Sequence, residues 1–378
     1  MKAIKNMKLI TENGVVENQG VIFDQRIKEI VAENQIGPGM EVIDVGGAYL
    51  SAGFIDIHIH GCAGYDVMDD DDHAIRNIAR HLVTKGVTAF LPTTMTMEFS
   101  RIKRALERIR KNMTDSAKYA QVLGCNLEGP FLSKKYKGAQ DEKYIRQPDF
   151  ELISPYLDVI RLLTIAPEEE GSIDFIKQAV QSGIVVSIGH TNATFNETTK
   201  GIEAGASHVT HLFNGMTPLH HRNPGVVGAA LWHDVTCELI ADNIHVDPAV
   251  QTILLKVKGE EKIILITDAM RACLLADGEY DLGGQKVYVK DHQAKLSNGS
   301  LAGSTLVLNE AIRNFMTNTG MKIEDAVKMT TLNPAKLLGI EKQKGSVTPG
   351  KDADLVVFDQ NLNIMMTIIG GETVFTMA

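Results

Sequence analysis

No Cys-x-x-Cys pair, no run of 18 uncharged apolar residues and no dense block of lysine and arginine occur in this 378-residue chain. Each absence removes a class of protein. The four cysteines, Cys62, Cys125, Cys237 and Cys273, lie far apart, which argues against a disulfide framework and a thiolate zinc site and leaves them as small buried hydrophobes. Without a long apolar run there is no expected membrane-spanning helix. The opening MKAIKNMKLITENG has neither the apolar core nor the cleavage site of a signal peptide, so a cytoplasmic location is expected. A net charge of −9 gives nucleic acid no general attraction, and neither nucleic acid nor membrane is expected as a partner. A phosphorylated small molecule stays open, because one local arginine suffices for it.

What is present is an ordinary globular composition, 44% hydrophobic and 22% charged. The length exceeds what one core usually supports, so a large domain with a smaller companion is expected. The first 50 residues read as short strands broken by turns at Asn13-Gly14 and Gly37-Pro38-Gly39. From Gly53 onward, short apolar runs alternate with longer amphipathic segments such as His73 to Lys85 and Phe99 to Lys111, the pattern of βα units. The runs are Phe54–His60, Val87–Pro92, Val122–Glu128, Val159–Ala166, Val185–His190, His208–His211, Cys237–Ala241 and Ile263–Asp268. They are continuous rather than alternating, as buried parallel strands are, and their number is the one that closes a (β/α)8 TIM-like barrel.

Gly278 to Asn298 reads as an inserted β-hairpin, followed by helices from about Thr305 and over Lys322 to Met329. After Asn333-Pro334 the pattern turns β-like again. The expected division is a barrel over 51–344 and a small β-sandwich domain assembled from 1–50 and 345–378.

Five of the eight runs end in polar residues at their carboxyl ends: His58 and His60, Glu128, His190, His211 and Asp268. In an α/β barrel that face carries active sites. Side chains on a strand repeat every two residues, so His58 and His60 point the same way and can grip one ion. Each residue alone has a structural reading: Glu128 in a buried ion pair, His190 and His211 as satisfied core histidines, Asp268 as a helix cap. Together they make a ring. A mixed histidine and carboxylate set suits zinc or iron(II) better than magnesium or calcium, and the absence of cysteine ligands favours a catalytic over a structural ion. Such an ion activates water near neutral pH, Asp268 can take up a proton and return it to a leaving amine, and hydrolysis of an amide or ester follows.

With these residues in place the sequence resembles the amidohydrolase superfamily over nearly its whole length. The motifs are AGFIDIHIHG at 52 to 61, NLEGPF at 126 to 131, IGHT at 188 to 191, THLFNGM at 210 to 216, HRNPG at 221 to 225, ADNIHV at 241 to 246, TDAM at 267 to 270 and LAGS at 301 to 304. Within it the likeness is to the branch that deacetylates N-acetyl-D-glucosamine 6-phosphate, yielding the amine and acetate.

The resemblance implies a principal divalent ion on Glu128, His190 and His211, a second on His58 and His60 with Glu128 as bridge, and Asp268 as acid/base. It also implies substrate contacts from Ala139, Gln140, Asn214, Gly215, Arg222, Asp242, His245, Leu301, Ala302 and Gly303, with Arg222 on the phosphate. Family members are usually homodimers, and a partner subunit can contribute near the phosphate. Where relatives often carry a histidine this chain has Gln140, which can donate a hydrogen bond to a substrate oxygen without carrying charge. His73, His81, His208, His220, His221, His233 and His292 match no role.

Two other readings compete. Cyclic amidohydrolases of the dihydroorotase or hydantoinase type generally bridge two ions with a carboxylated lysine, and Glu128 at that position speaks against them. An inactive barrel kept as a scaffold would typically have lost ligands, and here all six candidates are present.

Overall fold

The computed structural model describes residues 1–114 and 118–377. Every apolar run read from the sequence forms a strand. These are β1 (Phe54–Ile59), β2 (Val87–Pro92), β3 (Cys125–Glu128), β4 (Ile160–Ile165), β5 (Val185–Ile188), β6 (His208–Val209), β7 (Thr236–Ile240) and β8 (Ile263–Ile266). Strands β3 to β8 form one six-stranded parallel sheet in sequence order, a half-barrel, and β1 pairs with β2 in a second sheet.

Parallel bridges join the two sheets at both seams, Thr93 to Asn126 on one side and Ile59 to Ala269 on the other. The second seam is reinforced by Asp268 N–H donating to the His58 carbonyl at 2.9 Å and His60 N–H to the Ala269 carbonyl at 2.8 Å. Helices alternate with the strands, among them Ala74–Leu82, Phe99–Asn112, Ser172–Gln181, Phe195–Glu203, Gly225–Trp232 and Pro248–Lys258. Among the described residues no helix is long and apolar enough to cross a membrane.

The run expected over Val122–Glu128 is interrupted. Gln121–Val122 pairs with β2, whereas Cys125–Glu128 pairs with β4. Between them Gly124 adopts φ +140°, where a Cβ would lie 2.6 Å from the Val159 carbonyl oxygen. Only glycine fits that kink, and it shifts the strand from one sheet to the other, delivering Glu128 to the carboxyl end. The insertion after β8 holds three antiparallel strands rather than a hairpin: Gly278–Leu282, Gln285–Lys290 and Gln293–Leu296. Asn333-Pro334 does not end the helical region but lies inside the short helix Leu332–Leu337. A proline in the first turn loses no hydrogen bond, since those N–H groups have no partner within the helix. Regular strand structure returns at Leu355–Phe358.

The chain termini build two sheets, one of four strands from the N-terminal segment and one of six that combines Lys8–Thr11, Gly14–Val16 and Tyr49–Ala52 with three C-terminal strands. The strand Leu355–Phe358 shows why its sequence is apolar throughout. Leu355 and Val357 enter the core shared by the two terminal sheets, with Ile4, Leu9, Val21 and Phe23, while Val356 and Phe358 join the large core under the helices. Alternation sends neighbours to opposite faces, and here both faces are buried.

Lys344 ties this region together, its ammonium reaching Asp352 at 3.1 Å and also Asp354, which is itself only 7% exposed. Burial lowers the Lys344 pKa, but Asp354 and Asp352 outweigh it and hold it above the ordinary lysine value. The pair's stabilisation is therefore present at neutral pH and is lost only as pH rises through that elevated pKa. Lys344→Met leaves Asp354 buried and uncompensated, and is expected to cost about 3–5 kcal/mol in urea unfolding at neutral pH. Adding Asp354→Asn should restore part of the loss, since the amide oxygen still accepts from Gly370 N–H; equal stability of the single mutant and the wild type would refute this.

Candidate active site

His58 lies on β1 and His60 just beyond it, Glu128 closes β3, and His190, His211 and Asp268 each stand two residues past the ends of β5, β6 and β8. The chain must turn sharply there to aim these side chains inward. His190, His211 and Asp268 do so with φ of +46°, +27° and +48°. Positive φ is uncommon outside glycine, though histidine and aspartate tolerate it better than most, and such conformations persist where the surroundings enforce them. Part of that enforcement comes from Gly215, whose φ of +62° brings the loop after β6 so close that a Cβ would sit 2.9 Å from His190 Nδ1.

The six residues form two adjoining groups, Glu128 with His190 and His211, and His58 with His60 and Asp268. Glu128 Oε1 lies 3.0 Å from His190 Nε2 and 3.1 Å from His211 Nε2, and these two nitrogens are 3.1 Å apart. Two nitrogens each about 2.0–2.1 Å from one tetrahedral ion would be separated by about 3.3 Å, so the group is close to the spacing a cation requires. Glu128 also reaches the second group, with Oε2 3.3 Å from His60 Nε2 and Oε1 3.6 Å from His58 Nε2. Asp268 Oδ1 completes it at 3.2 Å from His60 and 3.6 Å from His58.

The outer nitrogens are all engaged elsewhere. His60 Nδ1 faces the Thr93 carbonyl at 3.2 Å, His190 Nδ1 that of Tyr136 at 3.0 Å, His211 Nδ1 that of Asn214 at 3.1 Å, and His58 Nδ1 the Glu238 carboxylate at 2.9 Å. Bonding at Nδ1 is how metal-ligating histidines are oriented, and it turns all four Nε2 atoms inward. His58 Nε2 is fully buried and has no hydrogen-bond partner. A buried orphan nitrogen is costly, and a cation between it and the two carboxylates would satisfy it. The residues therefore fit a divalent ion.

Electrostatics agree. Burial pushes the Glu128 carboxyl up, but the imidazoles of His190 and His58 and the hydrogen bonds from His190 and His211 hold it well below the usual range. Asp268 behaves likewise, burial opposed and outweighed by His58 and His60. His60, despite burial, is raised to about 9 by hydrogen bonds to Asp268 and Glu128. The site is built to keep two carboxylates ionised although both are buried.

His60, Glu128, His190, His211 and Asp268 line a cavity of about 280 Å³, with His58 buried behind them. Of the expected substrate contacts, Ala139, Gln140, Asn214, Gly215, His245, Leu301 and Gly303 line it. Ala302 is fully buried behind its neighbours. Asp242 stands behind His245, with Oδ2 2.6 Å from Nδ1, where it raises the imidazole pKa against the effect of burial. Gln140 is less free than its sequence position suggests: Oε1 accepts from Thr96 N–H at 2.7 Å, and Nε2 donates to Glu128 Oε2 at 2.7 Å.

Arg222 is not brought into the cavity. It is exposed, bonded through Nη1 to His221 at 2.7 Å, and lines a neighbouring cleft with Asn192, Thr194 and His220. No lysine or arginine is found among the described lining residues of the central cavity.

Two carboxylates buried inside the strands β1 and β7 carry no role in the sequence reading. Asp56, fully buried, accepts from Thr267 Oγ1 at 2.6 Å and ties β1 to β8; burial raises its pKa to about 7 against those hydrogen bonds. Glu238, in the middle of β7, accepts from His58. Both carried a signal, since an acid inside a continuous apolar strand is expensive unless paired. The four cysteines are buried and unpaired, as expected, with burial lifting the Cys62 and Cys237 thiols to about 12.

Comparison with known proteins agrees with this geometry. The amidohydrolase family model matches residues 49–374. An N-acetylglucosamine-6-phosphate deacetylase of Lysinibacillus sphaericus is 41% identical over 374 residues, covering 97% of this chain and 96% of that one. An N-acetylgalactosamine-6-phosphate deacetylase of Escherichia coli O157:H7 is 37% identical, covering 98% of both. The crystal structure of N-acetylglucosamine-6-phosphate deacetylase from Pasteurella multocida superposes with a TM-score of 0.95 at 32% identity, covering 98% of this chain and 99% of that one. By its motifs, its strand-end site and these matches, the chain belongs to the amidohydrolase family.

Proposed function

We propose that this chain hydrolyses the acetamide of N-acetyl-D-glucosamine 6-phosphate to D-glucosamine 6-phosphate and acetate. The observation that carries the reading is the shared carboxylate, Glu128, placed between two histidine sets at the floor of the cavity. Glu128, His190 and His211 would hold a principal zinc or iron ion, and His58, His60 and Asp268 a second. When bound, such an ion supplies Lewis-acid chemistry, polarising the amide carbonyl and making water acidic enough to attack near neutral pH.

The chain's own residues do the rest. Asp268, ionised and 3.2 Å from His60, is placed to take a proton from the attacking water and deliver it to the departing amine nitrogen. His245, backed by Asp242, faces the same cavity and is placed to donate to a substrate oxygen. Asn214 and the backbone of Ala139, Gly215, Leu301 and Gly303 shape the sugar subsite.

The eight strands are best taken as a closed (β/α)8 barrel over 51–344, a reading supported by the bridges at both seams. The terminal segments 1–50 and 345–378 would form a β-sandwich beside it. We also propose action in the cytoplasm. The E. coli relative's name favours testing the C4 epimer, N-acetyl-D-galactosamine 6-phosphate, as a competing substrate. The test is a steady-state assay of acetate release from both sugars, before and after metal stripping with a chelator. Release that is absent, or indifferent to stripping, would refute the proposal.

With no lysine or arginine among the described lining residues, a permanent cation for the phosphate would come from elsewhere. We assign it to Arg222 reaching the cavity of a second copy in a homodimer, which also gives a reason for the exposure of Leu219, at 56%, and Trp232, at 78%, close to it in sequence. Arginine's forked donors match phosphate oxygens. Arg222→Ala should raise KM for the phosphorylated sugar about 10- to 100-fold, the value of a charge-assisted contact, and leave the unphosphorylated sugar's KM unchanged. Equal effects on the two sugars would remove Arg222 from the phosphate site.

A further inference from the structure

Glu238 takes no part in the chemistry above, yet it is fully buried in the middle of β7 among Cys237, Leu239 and Ile240. Its Oε2 accepts from His58 Nδ1 at 2.9 Å and from His211 N–H at 2.9 Å. Its Oε1 faces His208 Nε2 at 3.3 Å, and His208 Nδ1 lies 2.6 Å from Thr236 Oγ1. Thr236, His208, Glu238 and His58 thus line up across the strands β1, β6 and β7, the His208–Glu238 step being a close contact outside hydrogen-bond geometry. Burying it is expensive, and such chains are not needed to hold parallel strands together.

What distinguishes His58 is its backing. The other three inward imidazoles are oriented by backbone carbonyls, His58 alone by a carboxylate. A carboxylate behind an imidazole fixes which ring nitrogen carries the proton and strengthens the opposite nitrogen as a ligand. The opposite nitrogen here is the buried, unpartnered His58 Nε2.

We propose that Glu238, steadied by His208, is the positioning residue that makes His58, His60 and Asp268 a second cation site. It rests on the reading of these residues as ligands. The first site is expected to be insensitive, because the His211 ring is set by the Asn214 carbonyl and Glu238 touches only its backbone. The nearly isosteric Glu238→Gln keeps the volume and an acceptor but loses the charge, and His208→Gln touches neither ion's ligands.

The test strips the full-length protein with a chelator and titrates it with Co²⁺ alone, following bound ion by equilibrium dialysis and ligand geometry by the visible absorption of each ion. Wild type should take two ions. Glu238→Gln should bind the first with unchanged affinity and spectrum and the second about 10- to 100-fold more weakly, as expected when such a backing group is altered. His208→Gln should move the second ion in the same direction by less. Two ions bound with wild-type affinity and spectra in both variants would overturn the proposal. So would parallel weakening of both ions together with a lowered unfolding midpoint of the metal-free protein, the mark of a purely structural pair. A wild type that takes one ion or none would instead overturn the ligand reading itself, and the proposal with it.

Discussion

Asp268→Asn is expected to lower kcat for acetate release by about 10²- to 10⁴-fold, the usual contribution of a positioned proton carrier. The substitution preserves shape and the oxygen that faces His60 at 3.2 Å, but an amide neither accepts the proton of the attacking water nor returns one to the amine. Asp268 is suited to both duties because it is 8% exposed and still ionised, the nearby imidazoles outweighing the effect of burial. Since Asp268 belongs to the second histidine group and not to the first, the ion on Glu128, His190 and His211 should remain, measurable by elemental analysis of the variant. KM should change little, because the sugar and phosphate contacts lie elsewhere. A variant with unchanged kcat would transfer the proton role to another group, of which His245 is the candidate in the cavity outside the two ligand groups. A variant that lost all its metal would instead make the loss one of binding rather than proton transfer.

The geometry of this site was legible in the sequence to the extent that it depends on strand ends. The runs ending in His58-Ile59-His60, Glu128, His190, His211 and Asp268 are recognisable because continuous apolar strands make any terminal polar residue conspicuous, and the barrel rule assigns those ends to one face. Positions inside a run were harder. Glu238 and Asp56 sit between apolar neighbours, and their partners, His58, His208 and Thr267, come from other strands, so nothing local identifies the pairing.

Backbone effects were hidden for a related reason. The break at Gly124 is needed because the Val159 carbonyl presses against it, a contact made only when β3 and β4 are side by side. Gln140, an expected substrate donor, lines the cavity but also bonds Thr96 N–H and Glu128, partners that no local pattern reveals. Arg222 carries the right chemistry for phosphate, but chemistry does not reveal which cavity an exposed side chain serves.

Glu128→Gln should have the widest consequence, because Glu128 sets its carboxylate against the inward Nε2 atoms of both histidine groups. Its two oxygens lie within 3.0 to 3.6 Å of four imidazole nitrogens, so neutralising it removes the anion around which both groups are arranged. An amide is a weak ligand for a divalent transition ion, and the affinity of both groups should fall together, in contrast to the selective loss expected at Glu238. Lewis-acid assistance is worth several kcal/mol of transition-state stabilisation, so a loss of about 4 kcal/mol, or about 10³-fold in kcat/KM, is the least expected. Folding should survive. Gln140 Nε2 can still donate to the new side chain's oxygen, and the four histidines keep their outer Nδ1 bonds to Thr93, Tyr136, Asn214 and Glu238. Removing the carboxylate also removes the principal force raising the His190 pKa, so burial should lower it and lessen the positive charge clustered in the site. The measurement is metal content per chain alongside kcat/KM and the thermal unfolding of the metal-free protein. If one group kept its ion at full affinity, Glu128 would not be the shared ligand, and the two histidine sets would have to be treated as independent sites.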